Sequence, residues 1–152
     1  LGGVYAREIA RQFPDDVRQV ITLGSPFGTQ DDRSTNPMVA RLFRQQSGMT
    51  AAEMRDRLSG EVEGSTVPST AIFSKGDGVV NWRVCQGVES PLTESVEVLG
   101  SHCGMGFNPL IYFIVADRLS QPQGKWRKFN KKKLRQFACS GSFSNEVEGI
   151  QT

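Results

Sequence analysis

Three short runs of strand-forming residues each break off at a turn made of glycine, serine and, in two cases, an ionisable side chain. Val20-Ile21-Thr22-Leu23, with Val17 just ahead of it, stops at Gly24-Ser25-Pro26. Thr70-Ala71-Ile72-Phe73-Ser74 runs into Lys75-Gly76-Asp77-Gly78, and Ser95-Val96-Glu97-Val98-Leu99 runs into Gly100-Ser101-His102-Cys103-Gly104. The first of these runs is continuously apolar or β-branched, as strands covered on both faces are. Helical stretches separate the runs, so helices can do the covering. The pattern predicts strands over 17–23, 70–74 and 95–99.

The first helix is expected over 1–13. Val4, Ala6, Ile9, Ala10 and Phe13 mostly follow helical spacing, and Pro14-Asp15-Asp16 ends the run. Gly2 and Gly3 in its first turn each cost about 1 kcal/mol relative to alanine. Such a cost is tolerable where a helix passes very close to a neighbouring backbone. The last helix is expected over 108–119, where Leu110, Ile111, Phe113, Ile114 and Val115 cluster. Between the first two strands, Asn36 caps a helix that has Pro37 at its first position, with Met38, Val39, Leu42 and Phe43 on one face. Thr50-Ala51-Ala52-Glu53 then forms a capping box ahead of Met54 and Leu58.

His102 is the only histidine among 152 residues. A glycine-rich turn at the end of a strand presents a side chain instead of packing it. With an ordinary pKa of about 6.5, a presented imidazole accepts and returns protons near neutrality. Asp77 sits on the corresponding turn after the preceding strand, 25 residues earlier. Taken singly, each turn has a plain structural explanation, since Asp-Gly pairs and loop histidines are common punctuation. Their placement at two successive strand ends is what makes them candidates. Other carboxylates fit less well: Glu97 lies inside a strand, and Glu89 and Glu94 lie in a Pro-containing connection. Ser25 stands in Gly-Ser-Pro without the small residue two places on that a nucleophile turn uses, and reads as a strand-end turn.

Four segments in order resemble the C-terminal portion of an α/β-hydrolase of the lipase or esterase kind. They are Leu1-Gly2-Gly3-Val4-Tyr5-Ala6, Val20 to Gly28, Ser74 to Trp82, and Gly100 to Gly104 with Asn108-Pro109. The order matches the family's nucleophile elbow, core strand, acid loop and histidine loop. The resemblance implies that the three strands are the last part of an α/β parallel sheet with flanking helices. It implies a partial hydrolase domain over 1–123, with 29–66 as a helical cap or lid-like insertion. It also implies Asp77 as the triad acid and His102 as the base. Leu1-Gly2 would be the last two letters of G-x-S-x-G, so the serine would precede Leu1, and the backbone N–H of Leu1 would be an oxyanion donor. On this reading the substrate is a small-molecule or lipid ester, no cofactor or metal is required, and residues 1–152 alone are inactive and poorly folded. The competing expectation is a catalytically inactive hydrolase-like scaffold or a binding module.

The remaining features narrow this little further. Hydrophobic residues make up 38% of the chain, and no apolar run nears the ~20 residues of a membrane span. Three cysteines are too few for a disulfide framework. A single Cys85–Cys103 bridge, leaving Cys139 over, and three free thiols are both open. Residues 1–123 hold 11 basic and 14 acidic side chains, whereas 124–152 hold 7 and 2. The basic cluster from Lys125 to Arg135 is interleaved with Trp126 and Phe129. It could face an anionic partner, but it reads better as a flexible, solvated tail with no nucleic acid bound.

Overall fold

The computed structural model describes residues 2–26 and 66–134. The helices expected near Asn36 and Thr50, nearly all of the 29–66 insertion, Leu1, and Cys139 lie outside the described residues. Helix α1 spans Gly2–Gln12, strand β1 Val20–Leu23, strand β2 Ser69–Phe73, strand β3 Thr93–Glu97 and helix α2 Pro109–Leu119. Short 3-10 turns cover Trp82–Cys85 and Cys103–Phe107.

The three strands form one parallel sheet in the order β1-β2-β3. Leu23 stands beside Ile72, and Phe73 beside Glu97, so the strands end together. The turns that follow them therefore share one edge of the sheet. All five residues of the central strand are buried, which is what its unbroken run of uncharged side chains requires.

Alternate residues divide the sheet into two faces. On one, Ile111 and Ile114 of α2 pack with Ile72 and Val96, joined by Val98, Met105 and Phe129. Complete burial of each isoleucine contributes about 1.5–3 kcal/mol. On the other face, Ala10 of α1 packs with Val20 and Val67, with Ala6 and Val17 alongside. The close approach expected of this helix is real at Gly3. A Cβ there would lie 2.6 Å from Cβ and Oγ of Ser25 and 3.0 Å from Cγ2 of Thr22. Asn108 caps α2 by accepting from Leu110 N at 2.9 Å, with Pro109 in the first turn. At the other end, Arg18 donates to the carbonyls of Leu119 and Gln121 at 2.5 and 2.6 Å, where a cation suits the helix dipole.

The structure departs from the sequence pattern in three places. Ile9 and Phe13, with Tyr5, are exposed, and the buried stripe of α1 is Val4, Arg7 and Ala10. Arg7 enters that stripe because its guanidinium donates to the Pro26 carbonyl. Strand β3 begins at Thr93, so Glu94 falls within it and not in the preceding connection. The Glu94 carboxylate accepts from Thr70 Oγ1 at 2.9 Å, Arg118 Nη1 at 2.8 Å and Phe129 N at 2.6 Å. Finally, the beginning of the basic C-terminal stretch lies against the body. Phe129 is buried edge-on to Phe113, and Arg118 donates to the Arg127 carbonyl at 2.6 Å.

Candidate active site

Asp77 and His102 meet at the edge where the strands end. Asp77 Oδ2 lies 2.6 Å from His102 Nδ1. The aspartate side chain is 1% exposed and the imidazole 34%. A carboxylate only accepts, so Nδ1 carries the proton of this bond and Nε2 is left as the basic nitrogen of the neutral ring.

Each partner is held by its own loop. Asp77 Oδ1 accepts from the backbone N–H groups of Val79 and Val80 at 2.8 and 2.9 Å. With both oxygens engaged, the carboxyl group cannot rotate away from the histidine. Ser74, buried at the end of β2, joins the two loops: its Oγ donates to the Gly100 carbonyl at 2.5 Å and accepts from Gly76 N at 3.1 Å. Asn108 Nδ2 donates to the Leu99 carbonyl at 2.8 Å, which ties the histidine turn to the start of α2. Met105 lies buried one turn beyond the histidine, its N–H bonded to the Ser101 carbonyl at 3.0 Å.

Gly24 closes the group from the end of β1. Its φ is +51°, and its N–H continues the ladder onto Ile72 O at 2.9 Å. A Cβ at this position would lie 2.8 Å from Asp77 Oδ2, 3.0 Å from His102 Nδ1 and 2.6 Å from Met105 Cε. Sequence reasoning treated Gly24 as turn punctuation, Ser74 as a strand residue and Asn108 as a helix start. Only the three-dimensional meeting of three strand ends reveals that Gly24 abuts the pair and that Ser74 and Asn108 hold the loops that carry it.

The other candidates fall elsewhere. Glu97 pairs with Lys75 at 2.9 Å, and Glu89 with Lys128 at 2.7 Å. The Lys128 hydrogen bond holds the Glu89 carboxyl below its ordinary pKa. Ser25 is buried against the first turn of α1, and its Oγ has no hydrogen-bond partner among the described residues. Cys85 and Cys103 are free thiols, the first buried and the second exposed. Burial, reinforced by the nearby Asp77 charge and opposed by Arg7, pushes the Cys85 thiol up to about 12, which leaves it protonated and inert at neutral pH. Among the described residues no group of three or more His, Cys, Asp or Glu side chains could hold a metal ion. No described helix is long and apolar enough to cross a membrane.

No protein-family model matches the chain, and no curated protein matches it significantly in sequence. Among solved structures it resembles MGS-MChE2, an α/β hydrolase enzyme from the metagenome of sediments from the lagoon of Mar Chica, Morocco. The two superpose with a TM-score of 0.50 at 17% sequence identity, over 78% of this chain. The aligned region spans 58% of that enzyme's length. The fold is α/β and α/β-hydrolase-like, a three-stranded parallel sheet with flanking helices.

Proposed function

We propose that this chain carries the acid and the base of a serine hydrolase acting on carboxylic esters. The observation that carries the reading is the 2.6 Å bond between a buried Asp77 and a half-exposed His102 at the edge where the strands end. In open α/β sheets, that edge is where ligands bind. Asp77 fixes the imidazole tautomer and stabilises the imidazolium. His102 Nε2 takes the hydroxyl proton of the nucleophile and then returns it to the leaving alcohol. The resemblance supplies the nucleophile as a serine directly before Leu1. The tight packing of Gly3 on β1 supports it, because a nucleophile turn needs a helix this close to the sheet. On the same resemblance, the backbone N–H of Leu1 serves as one oxyanion donor. In measured cases, loss of one such donor costs about 3–4 kcal/mol.

The test is hydrolysis of p-nitrophenyl esters by the full-length protein and its His102→Ala variant. Turnover is expected to fall by several orders of magnitude in the variant, as for other triad bases. Retention of more than a tenth of wild-type turnover sinks the assignment of the base. A full-length protein that hydrolyses no ester in a panel of chain lengths supports the inactive scaffold in its place.

A further inference from the structure

We propose that Gly24 is a positioning residue for the Asp77–His102 pair: its missing side chain is the space in which their hydrogen bond forms. The inference rests on the reading of that pair as triad acid and base, and it adds a third strand end to the site.

The geometry leaves no room for any side chain. The position where a Cβ would stand is 2.8 Å from Asp77 Oδ2 and 3.0 Å from His102 Nδ1, the two atoms that share the proton. It is also 2.6 Å from Met105 Cε, which is buried beside them. Real Cβ atoms do not come within 3.0 Å of a neighbour, so Met105 Cε and Asp77 Oδ2 must both move, while His102 Nδ1 need give only a few tenths of an ångström. Asp77 cannot yield without abandoning the amides of Val79 and Val80. Met105 is packed among Ile72, Val96 and Ile111, where displacement opens or overfills the core. Met105 Cε, the end of a flexible side chain, can swing aside at some cost in packing, but Asp77 Oδ2 can be relieved only by drawing away from the added carbon, which disturbs its bond to His102 Nδ1. The φ of +51° adds a cost that glycine avoids, since left-handed conformations are strained for other side chains. The backbone of Gly24 and the side chain of Met105 thus close over the Oδ2···Nδ1 bond and keep water from competing for it, while the remainder of the ring stays exposed.

Gly24→Ala in the full-length protein is expected to lower kcat by 10²-fold or more with KM changed less than threefold. Gly106→Ala, where an added Cβ meets nothing within 4 Å, is expected to leave both near wild type. The second measurement is the Nδ1 proton of His102 by NMR. In the wild type it is expected as a low-field resonance in slow exchange with water, lost or broadened in folded Gly24→Ala and broadened in Met105→Ala. Two results would overturn the proposal. One is a folded Gly24→Ala enzyme with near-normal kcat and an intact resonance; the other is a wild type without a slowly exchanging Nδ1 proton. If Gly24→Ala does not fold, the wild-type resonance and Met105→Ala decide alone. A protein inactive towards esters that still shows the resonance fails the hydrolase reading and leaves the positioning role standing.

Discussion

Two deeply buried carboxylates at this sheet each pair with a basic side chain, and the pairs differ in what is left over. Glu94 and Arg118 have side chains 2% exposed, and both Glu94 oxygens are occupied, by Thr70, Arg118 and the Phe129 amide. Asp77 is as deeply buried, but its partner His102 keeps one ring nitrogen uncommitted. Arginine offers donors and no acceptor, so the first pair has no free lone pair on its basic partner to take up a proton. A neutral imidazole keeps a lone pair on its second nitrogen, so the second pair has a place to take up a proton and return it. Burial of a carboxylate is common to both and decides nothing. The identity of the basic partner and its open nitrogen separate a clamp from the proposed catalytic pair.

The contrast is broken most sharply at Asp77. Asp77→Asn keeps an oxygen for the Val79 and Val80 amides, so the fold should survive. The amide favours the wrong imidazole tautomer, and ester turnover should drop by about 10³ to 10⁴. Steady-state kinetics beside a thermal melt separates the two effects. Glu94→Gln is the matching control, with activity expected within threefold of wild type once folded. Near-normal Asp77→Asn together with a dead Glu94→Gln would exchange the roles of the two carboxylates.

The clamp should answer in stability instead. Arg118→Met leaves Glu94 buried without its cation, and breaking such a pair costs about 3–5 kcal/mol. Urea titration should show this loss while turnover below the transition stays near normal. An unchanged unfolding midpoint would mean that Glu94 is compensated by Thr70 and the Phe129 amide alone.

The smallest expected effect sharpens the comparison at its border. Burial alone would raise the Asp117 carboxyl, but hydrogen bonds from Arg118 and Lys133 outweigh it and hold it below its ordinary value. A depressed carboxylate stabilises the fold above its unfolded pKa, and that contribution fades as pH falls through the lower folded value. Asp117→Asn should therefore be less stable than wild type at neutral pH, and the gap should close in acid below the usual carboxylate range. A gap that stays constant with pH would remove Asp117 from the network around Arg118.

The catalytic candidates were legible because their signals are local. Asp77 and His102 each follow a strand run and stand on a glycine-containing turn, and both features survive in a linear string. The clamp was not legible, because neither Glu94 nor Arg118 stands on a turn after a strand run that would single it out, although they are no farther apart in sequence than Asp77 and His102. A glutamate beside Pro91 reads as a loop until Arg118 arrives to pair with it. Phe129 was hidden for a similar reason: a lysine-rich stretch suggests a solvated tail, and only the Phe113 ring and the Glu94 carboxylate show where it docks. Arg7 shifted the expected face of α1 by bonding a carbonyl 19 residues on, so that Val4 and Ala10 stay buried while Ile9 and Phe13 are exposed. Patterns of hydropathy report what a residue would prefer alone, and each miss is a residue whose partner changed that preference.

The hydroxyl of Ser74 touches both loops of the pair, bonding a carbonyl of one and an amide of the other. Loops held to each other in this way cannot drift apart independently. A proton passing through His102 would then meet dipoles that already point where the charge develops. On the proposed reading, little of the barrier is spent on rearranging the site, because its reorganisation was completed when the sheet folded.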